Sequence, residues 1–370
     1  MMQSNSNLYA NNKMELYSEA SVITDTALAI DILKSDAFNA IDFKQYLIQL
    51  QEMAGEDYSG LISFISCSPF FNEGNKHQDL KRLISLVFTK QNIEHWRLHF
   101  EQEIALINNS LQDSQNVDLI SYCFKLMQKM LRPMILGIAE ELPEDFEIRL
   151  YHFQKLVEPM LSVKKLSFLE SELTYLYKSL EHAMQNQATI PNYCLPQLIK
   201  STSQTTLPTK QLLMLLLVVY GAKTPLIQTL GNIFLHILNQ SQSQQSSSTQ
   251  IRKDELSKDL DTLINSSAAL LYIHRIANKP YTNGSFTVNA GEHILIRTHG
   301  VSENNCSRAQ SLGFGLKTHF CSGASISKTI LSLVVPTFFN HFPNIKIESF
   351  QYDNNIHTAK ALSYLKVKLK

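Results

Sequence analysis

Residues Phe314–Gly323 read FGLKTHFCSG. One cysteine stands there among glycines, aromatics and a histidine, in the last sixth of a 370-residue chain. A cysteine alone reads as a small, inert, buried residue. Here the stretch that follows, Ala324 to Phe339, carries apolar residues at helical spacing. The sulfur of Cys321 would therefore sit at the start of a helix, where backbone N–H donors and the helix dipole stabilise a thiolate.

The bulk of the chain narrows what such a thiolate could serve. Thirty-three basic residues balance thirty-three acidic ones, so no electrostatic footprint argues for nucleic acid or a membrane surface. The cysteines are Cys67, Cys123, Cys194, Cys306 and Cys321, an odd number without a CxxC pair. That pattern argues against a disulfide framework or a structural zinc site and fits a reducing cytoplasm. Residues 1–20 form a polar tail rich in Asn and Ser, without the apolar stretch of a signal peptide or anchor. The longest apolar run, Leu212 to Tyr220 (LLMLLLVVY), is shorter than a bilayer requires. A soluble cytoplasmic protein is expected.

Helical periodicity recurs through the first two thirds: Thr26–Leu33, Phe43–Met53, Leu80–Val87, Ile93–Ile107, Asp118–Met130, Glu144–Leu161 and Leu166–Met184. Pro196 and Pro208 bracket a predicted loop. After it comes the most apolar helix, running to about Leu238, which should lie at the centre of the molecule. Asn239–Gln250 (NQSQSQQSSSTQ) reads as a polar surface loop, and Asp254–Leu271 as a further helix. The texture then changes. Residues 275–298 alternate apolar and polar side chains, with Asn283-Gly284 and Ala290-Gly291 as turn signals, which predicts a hairpin or meander. Strand-like pieces at Asn344–Ile347 and Tyr364–Lys368 end the chain. The expected fold is mainly α with a small β region, one domain over residues 21–370.

This order of elements, with the cysteine loop at its end, resembles the cytochrome P450 (haem-thiolate) family from about Ser21 onward. The family's loop pattern is F-G-x-G-x-H/R-x-C-x-G. Phe314, Gly315, His319, Cys321 and Gly323 match it, and Lys317 takes the place of the second glycine. The resemblance implies haem b with Cys321 as the axial thiolate ligand. Gly323 would let the helix start lie against the flat macrocycle, and Phe314 would shield the sulfur. It also implies a set of propionate contacts: His77 and Lys81 on one helical face, with Lys for the usual Arg, then Arg275 beside the first core strand, and His319. In the central helix, Gly221 and Thr224 of YGAKTP match the family's oxygen-handling motif, while Lys223 replaces its acid and Tyr220 a small residue. Lys223 is then either a substitute proton donor or a sign that the relay is unused.

Other parts of the pattern are missing. The place of the family's E-x-x-R pair holds DTLINS, where only Asp261 could stand for the acid. Most of the meander before Phe314 is absent, and the N-terminal β region is shortened. Lys317 needs a negative φ or carries strain; its ammonium either influences the thiolate face, where an electron donor docks, or reaches out to solvent. The resemblance implies monooxygenation of a small organic molecule in a specialised biosynthetic pathway, with electrons from a ferredoxin- or flavodoxin-type donor. Two alternatives stay open: reductant-independent chemistry of the peroxygenase, dehydratase or isomerase type, and a non-catalytic auxiliary of a partner enzyme. Stretches 55–75 and 161–188, which would line the pocket, show no metal-ligand spacing and imply an apolar or mixed substrate.

Overall fold

A short strand, β1 (Ser21–Ile23), opens the fold and leads into α1 (Thr26–Lys34), which Asp25 caps by accepting from the Leu28 N–H at 2.7 Å. The computed structural model describes residues 21–158, 161–187, 190–202, 207–243, 253–298 and 312–369; the tail 1–20, Cys306 and the trimmed meander lie outside them. β2 (Phe38–Asn39) is followed by α2 (Phe43–Ala54), α3 (Ser59–Ser66), α4 (Gly74–Ser85) and α5 (Lys90–Ser110). Next come β3 (Asn116–Asp118), α6 (Leu119–Leu131), a π turn at Arg132–Leu136, α7 (Phe146–Tyr151) and α8 (Val163–Asn186). The helical part closes with α9 (Leu195–Ser201), α10 (Thr209–Gly221), α11 (Lys223–Ser243) and α12 (Lys253–Ser267). β4 (Tyr272–Ala277), β5 (Tyr281–Asn283), β6 (Phe286–Val288) and β7 (His293–Arg297) precede the cysteine loop, and α13 (Ala324–His341), β8 (Lys346–Tyr352) and β9 (Leu362–Lys368) follow it.

Several boundaries differ from those the pattern predicts, each for a local reason. The expected helix 144–161 stops at Tyr151 and tightens into a 3₁₀ turn, His152–Val157. Glu158 is already extended (φ −77°, ψ 148°), as the residue before Pro159 must be. The loop expected between Pro196 and Pro208 contains α9, because Pro196 falls at the second helical position, where no N–H is needed. The polar segment from Asn239 is partly helical: α11 runs on to Ser243, the Ser241 hydroxyl bonding back to Ile237 O and Leu238 O. α12 ends at Ser267 rather than Leu271, since Leu271 N–H is drawn to Thr358 O (2.9 Å) at the sheet edge. The sequence pattern did not separate α3.

Three sheets form. β1-β7-β4-β2 is the largest, with β1 parallel to β7 and the other pairs antiparallel; β3-β9-β8 and the hairpin β5-β6 are smaller. The main core lies among the helices, with Phe234, Phe338 and Phe339 fully buried at its centre. A second core, including Ile32, Phe38, Ala277 and Ile296, underlies the four-stranded sheet. α11 packs on α6 so closely that a Cβ at Gly231 would fall 2.4 Å from Ile120. Residues 209–241 are long and apolar enough to cross a membrane, more so than Leu212–Tyr220 alone suggests, yet the segment is mostly buried inside the fold, as a central core helix is.

Candidate functional site at the cysteine loop

The loop that carries Cys321 is closed by its own backbone. Cys321 N–H donates to Phe314 O at 2.7 Å, and Gly315 N–H to Leu312 O at 2.9 Å. Gly315 has φ +70°, and a Cβ there would lie 2.8 Å from His319 O, so only glycine fits. Gly323 is the N-cap of the eighteen-residue α13, which places the Cys321 thiol at a helix N-terminus as the sequence implied. Among the described cysteines, Cys67, Cys123 and Cys194 are buried and only Cys321 is exposed. Although one face is open, the protein crowded around the sulfur pushes its pKa up; the Gly323 N–H and the Lys81 charge pull the other way.

Lys317 sits at φ +51°, the left-handed region, so the strain is real. Although the residue is exposed, its ammonium folds back onto the protein. It donates to Lys34 O at the C-terminus of α1, capping that helix with a cation where the dipole is negative.

α4 grips the loop from the other side. His77 and Lys81, four residues apart, share a face. His77 is buried, with Nδ1 2.9 Å from Pro69 O and Nε2 2.9 Å from Thr318 O. Lys81 Nζ donates to Thr318 O and Phe320 O, both at 2.8 Å. The His319 ring lies 4.2 Å from that of His77, and its Nε2 is 3.0 Å from Glu73 Oε1. Glu73 Oε1 also accepts the Ala40 N–H at 2.6 Å. Burial alone would raise the Glu73 pKa; the bonds from His319 and Ala40, with the charges of His319 and Arg275, overcome it and lower it. Arg275 is buried on β4, donating from NH1 to His274 O at 2.8 Å. All four predicted propionate contacts thus gather around the loop, together with an acid, Glu73, that the sequence reading did not mark.

The residues fit a haem on the thiolate side. Cys321 has an open face, and at Gly323 an added Cβ would come no nearer than 3.7 Å to Ile326 and 3.8 Å to Cys321 Sγ, so bare backbone borders the sulfur. His319 and Arg275 remain as donors of the kind carboxylates require, whereas His77 and Lys81, expected beside them, are bonded to the backbone carbonyls of Pro69, Thr318 and Phe320.

The second predicted group lies where α10 gives way to α11. The central helix breaks at Ala222 because Pro225 has no N–H to offer the Gly221 carbonyl. Gly221 faces Leu150 of α7, and Thr224 is buried in the first turn of α11. Lys223 Nζ is 2.8 Å from Glu147 Oε2 and 3.3 Å above the Tyr220 ring. Tyr220 OH donates to Glu147 Oε1 at 2.5 Å. Burial lowers the Lys223 pKa against the opposing pull of Glu147. Glu147, a residue the sequence reading missed, thus meets Lys223 and Tyr220 across the α7 interface. Asp261, at the place of the lost E-x-x-R acid, pairs instead with Lys328 of α13 at 2.6 Å.

No family model matches the sequence, and no curated protein matches it. Solved structures do. P450BioI in complex with a hexadec-9Z-enoic acid-ligated acyl carrier protein is similar over 94% of this chain and 91% of its own, with 16% identity and a TM-score of 0.77. The bacillaene polyketide synthase cytochrome P450 PksS of Bacillus subtilis 168 is similar over 95% and 90%, with 18% identity and a TM-score of 0.74. CalO2 matches over 94% and 90% at 10% identity, with a TM-score of 0.77. Element order, the Cys321 loop and these likenesses agree that the chain has the cytochrome P450 fold.

Proposed function

We propose that the protein is a haem-thiolate oxidative enzyme, a monooxygenase acting on a small organic molecule in specialised-metabolite biosynthesis, with a ferredoxin- or flavodoxin-type donor in the cytoplasm. The observation that carries this reading is Cys321: exposed, set at the N-terminus of α13, in a loop clamped by His77 and Lys81. Haem b, when bound, supplies the oxygen chemistry. Cys321 would hold its iron, with the Gly323 N–H and the Lys81 charge steadying the thiolate. His319 and Arg275 would face the propionates. At the break in the central helix, Tyr220 holds a proton on its hydroxyl toward Glu147, and Lys223 pairs with the same carboxylate. Thr224 follows directly, as the hydroxyl of the oxygen-handling motif.

One observation favours the reductant-independent alternative. Lys223 is engaged by Glu147, so neither side chain is free to serve as the family's relay acid. The test begins with purified protein reconstituted with haem and reduced under carbon monoxide. Absorption near the wavelength typical of thiolate ligation is expected, and Cys321→Ser should abolish it. Absence of haem uptake would leave the auxiliary reading; product formed without reductant would replace monooxygenation by the alternative.

A further inference from the structure

The four donors around the cysteine loop are not equivalent. His77 and Lys81 are spent on backbone carbonyls of the loop, at Thr318 and Phe320. They fix the position of the segment that holds Cys321. Of the remaining two, His319 bonds a carboxylate that belongs to the protein, and the charge of Arg275 acts on the same group. Glu73 Oε1 lies 3.0 Å from His319 Nε2 and accepts the Ala40 N–H. The register of β2 on β4, Phe38 opposite Ala277 and Asn39 opposite Ile276, carries Ala40 on toward Arg275. Glu73 thus stands at the end of β2 where that guanidinium is buried, and each charge stabilises the other. The acid is also the N-cap residue of α4, so its backbone is fixed by the same helix that clamps the loop, while its side chain stays about one third exposed. Its backbone is anchored in α4, and its carboxylate is held by His319 and the Ala40 N–H at a partly open edge.

We propose that Glu73 is an internal counter-carboxylate that closes the His319–Arg275 cradle in the haem-free chain and is exchanged for a haem propionate on loading. This deepens the haem-thiolate reading and rests on it. The exchange is carboxylate for carboxylate: no net charge enters the cradle, and the Ala40 N–H is released to water or to the incoming group. The haem-free protein then keeps its buried Arg275 compensated, and haem must compete with a group already in place.

Glu73→Gln isolates the charge, because an amide oxygen still accepts from Ala40 while the anion is gone. Two measurements are made on the full chain: the melting temperature without haem, and the haem dissociation constant from Soret titration. Expected for Glu73→Gln are a lower haem-free melting temperature and haem binding at least about tenfold tighter, the scale of one charge-assisted hydrogen bond no longer competed for. Glu73→Asp, with a shorter reach, should lie between the two. If wild type and Glu73→Gln bind haem equally, the exchange is refuted and the haem-thiolate reading stands. Binding by Glu73→Gln alone would support the exchange and show that the native chain holds itself shut. If neither binds haem, the haem-thiolate reading falls and the exchange with it. A haem-free melting temperature unchanged or raised in Glu73→Gln would refute the counter-charge role whatever the haem result.

Discussion

His274 gives the sharpest pH prediction. It is buried on β4 beside Arg275, with its Nδ1 3.2 Å from His293 Nε2. Burial first, then the charges of His293 and Arg275, lower its pKa from 6.5 to about 3. The sign follows from proton counting. Between pH 6.5 and 3 the unfolded chain binds a proton at this position that the native protein refuses, so stability is fully present above pH 6.5 and declines as pH falls toward 3. At about 1.4 kcal/mol per unit, the loss between pH 7.5 and 5 is about 2 kcal/mol, and across the whole window about 5 kcal/mol. Urea unfolding at pH 7.5 and pH 5 on wild type and His274→Phe isolates the effect, since other titrating groups are common to both. The variant should lose about 2 kcal/mol less than wild type over that interval. Parallel losses in the two proteins would refute the argument.

Two other sites carry comparable expectations. Glu147→Gln keeps an acceptor for Tyr220 but strands the Lys223 ammonium in the core, and should cost about 3–5 kcal/mol. The double variant Glu147→Leu with Lys223→Met should cost less than the single, and additive costs in urea unfolding would show that the pair is not coupled. At position 317, both Met and Gly lose the bond to Lys34 O, but only Gly escapes the left-handed penalty of about 1–2 kcal/mol, partly offset by unfolded-chain entropy. Lys317→Gly should therefore be more stable than Lys317→Met by about 1 kcal/mol, and equal melting temperatures would contradict the φ of +51°.

What was legible in the sequence was local. The FGLKTHFCSG loop and its helix and the hairpin after α12 rest on spacing and turn chemistry within ten or twenty residues, while the pair His77 and Lys81 was marked by the family resemblance. The two acids that define the site's electrostatics were not legible. Glu73 meets His319 across 246 positions, and Glu147 meets Tyr220 across 73. In sequence Glu73 sits in a polar stretch and Glu147 is one of several acids around a short amphipathic helix; only tertiary placement gives each its partner. The same holds for Lys317, whose partner Lys34 O is 283 positions away. The α7 boundary erred in the opposite direction, a helical period continuing past the point where Pro159 forbids helix.

The pairing of β1 with β7, Ser21 opposite Ile294 and Ile23 opposite Ile296, has a consequence for biogenesis. A ribosome adding about 5–20 residues per second needs roughly 14–55 s between making the first strand and making its neighbour. Through that interval β1 and β2 have no partner strands, and α4 has no loop to clamp. α10 and α11, by contrast, find α6 and the π turn already made, so this part of the helical core can collapse before α13 brings Phe338 and Phe339. The last sixth of the chain then closes two distant contacts at once, Lys317 on α1 and Thr318 on α4. Nascent chains halted before residue 272 should therefore hold a protease-resistant helical centre with a cleavable N-terminal segment, and the cradle for a cofactor would exist only once residues 317–320 have been made.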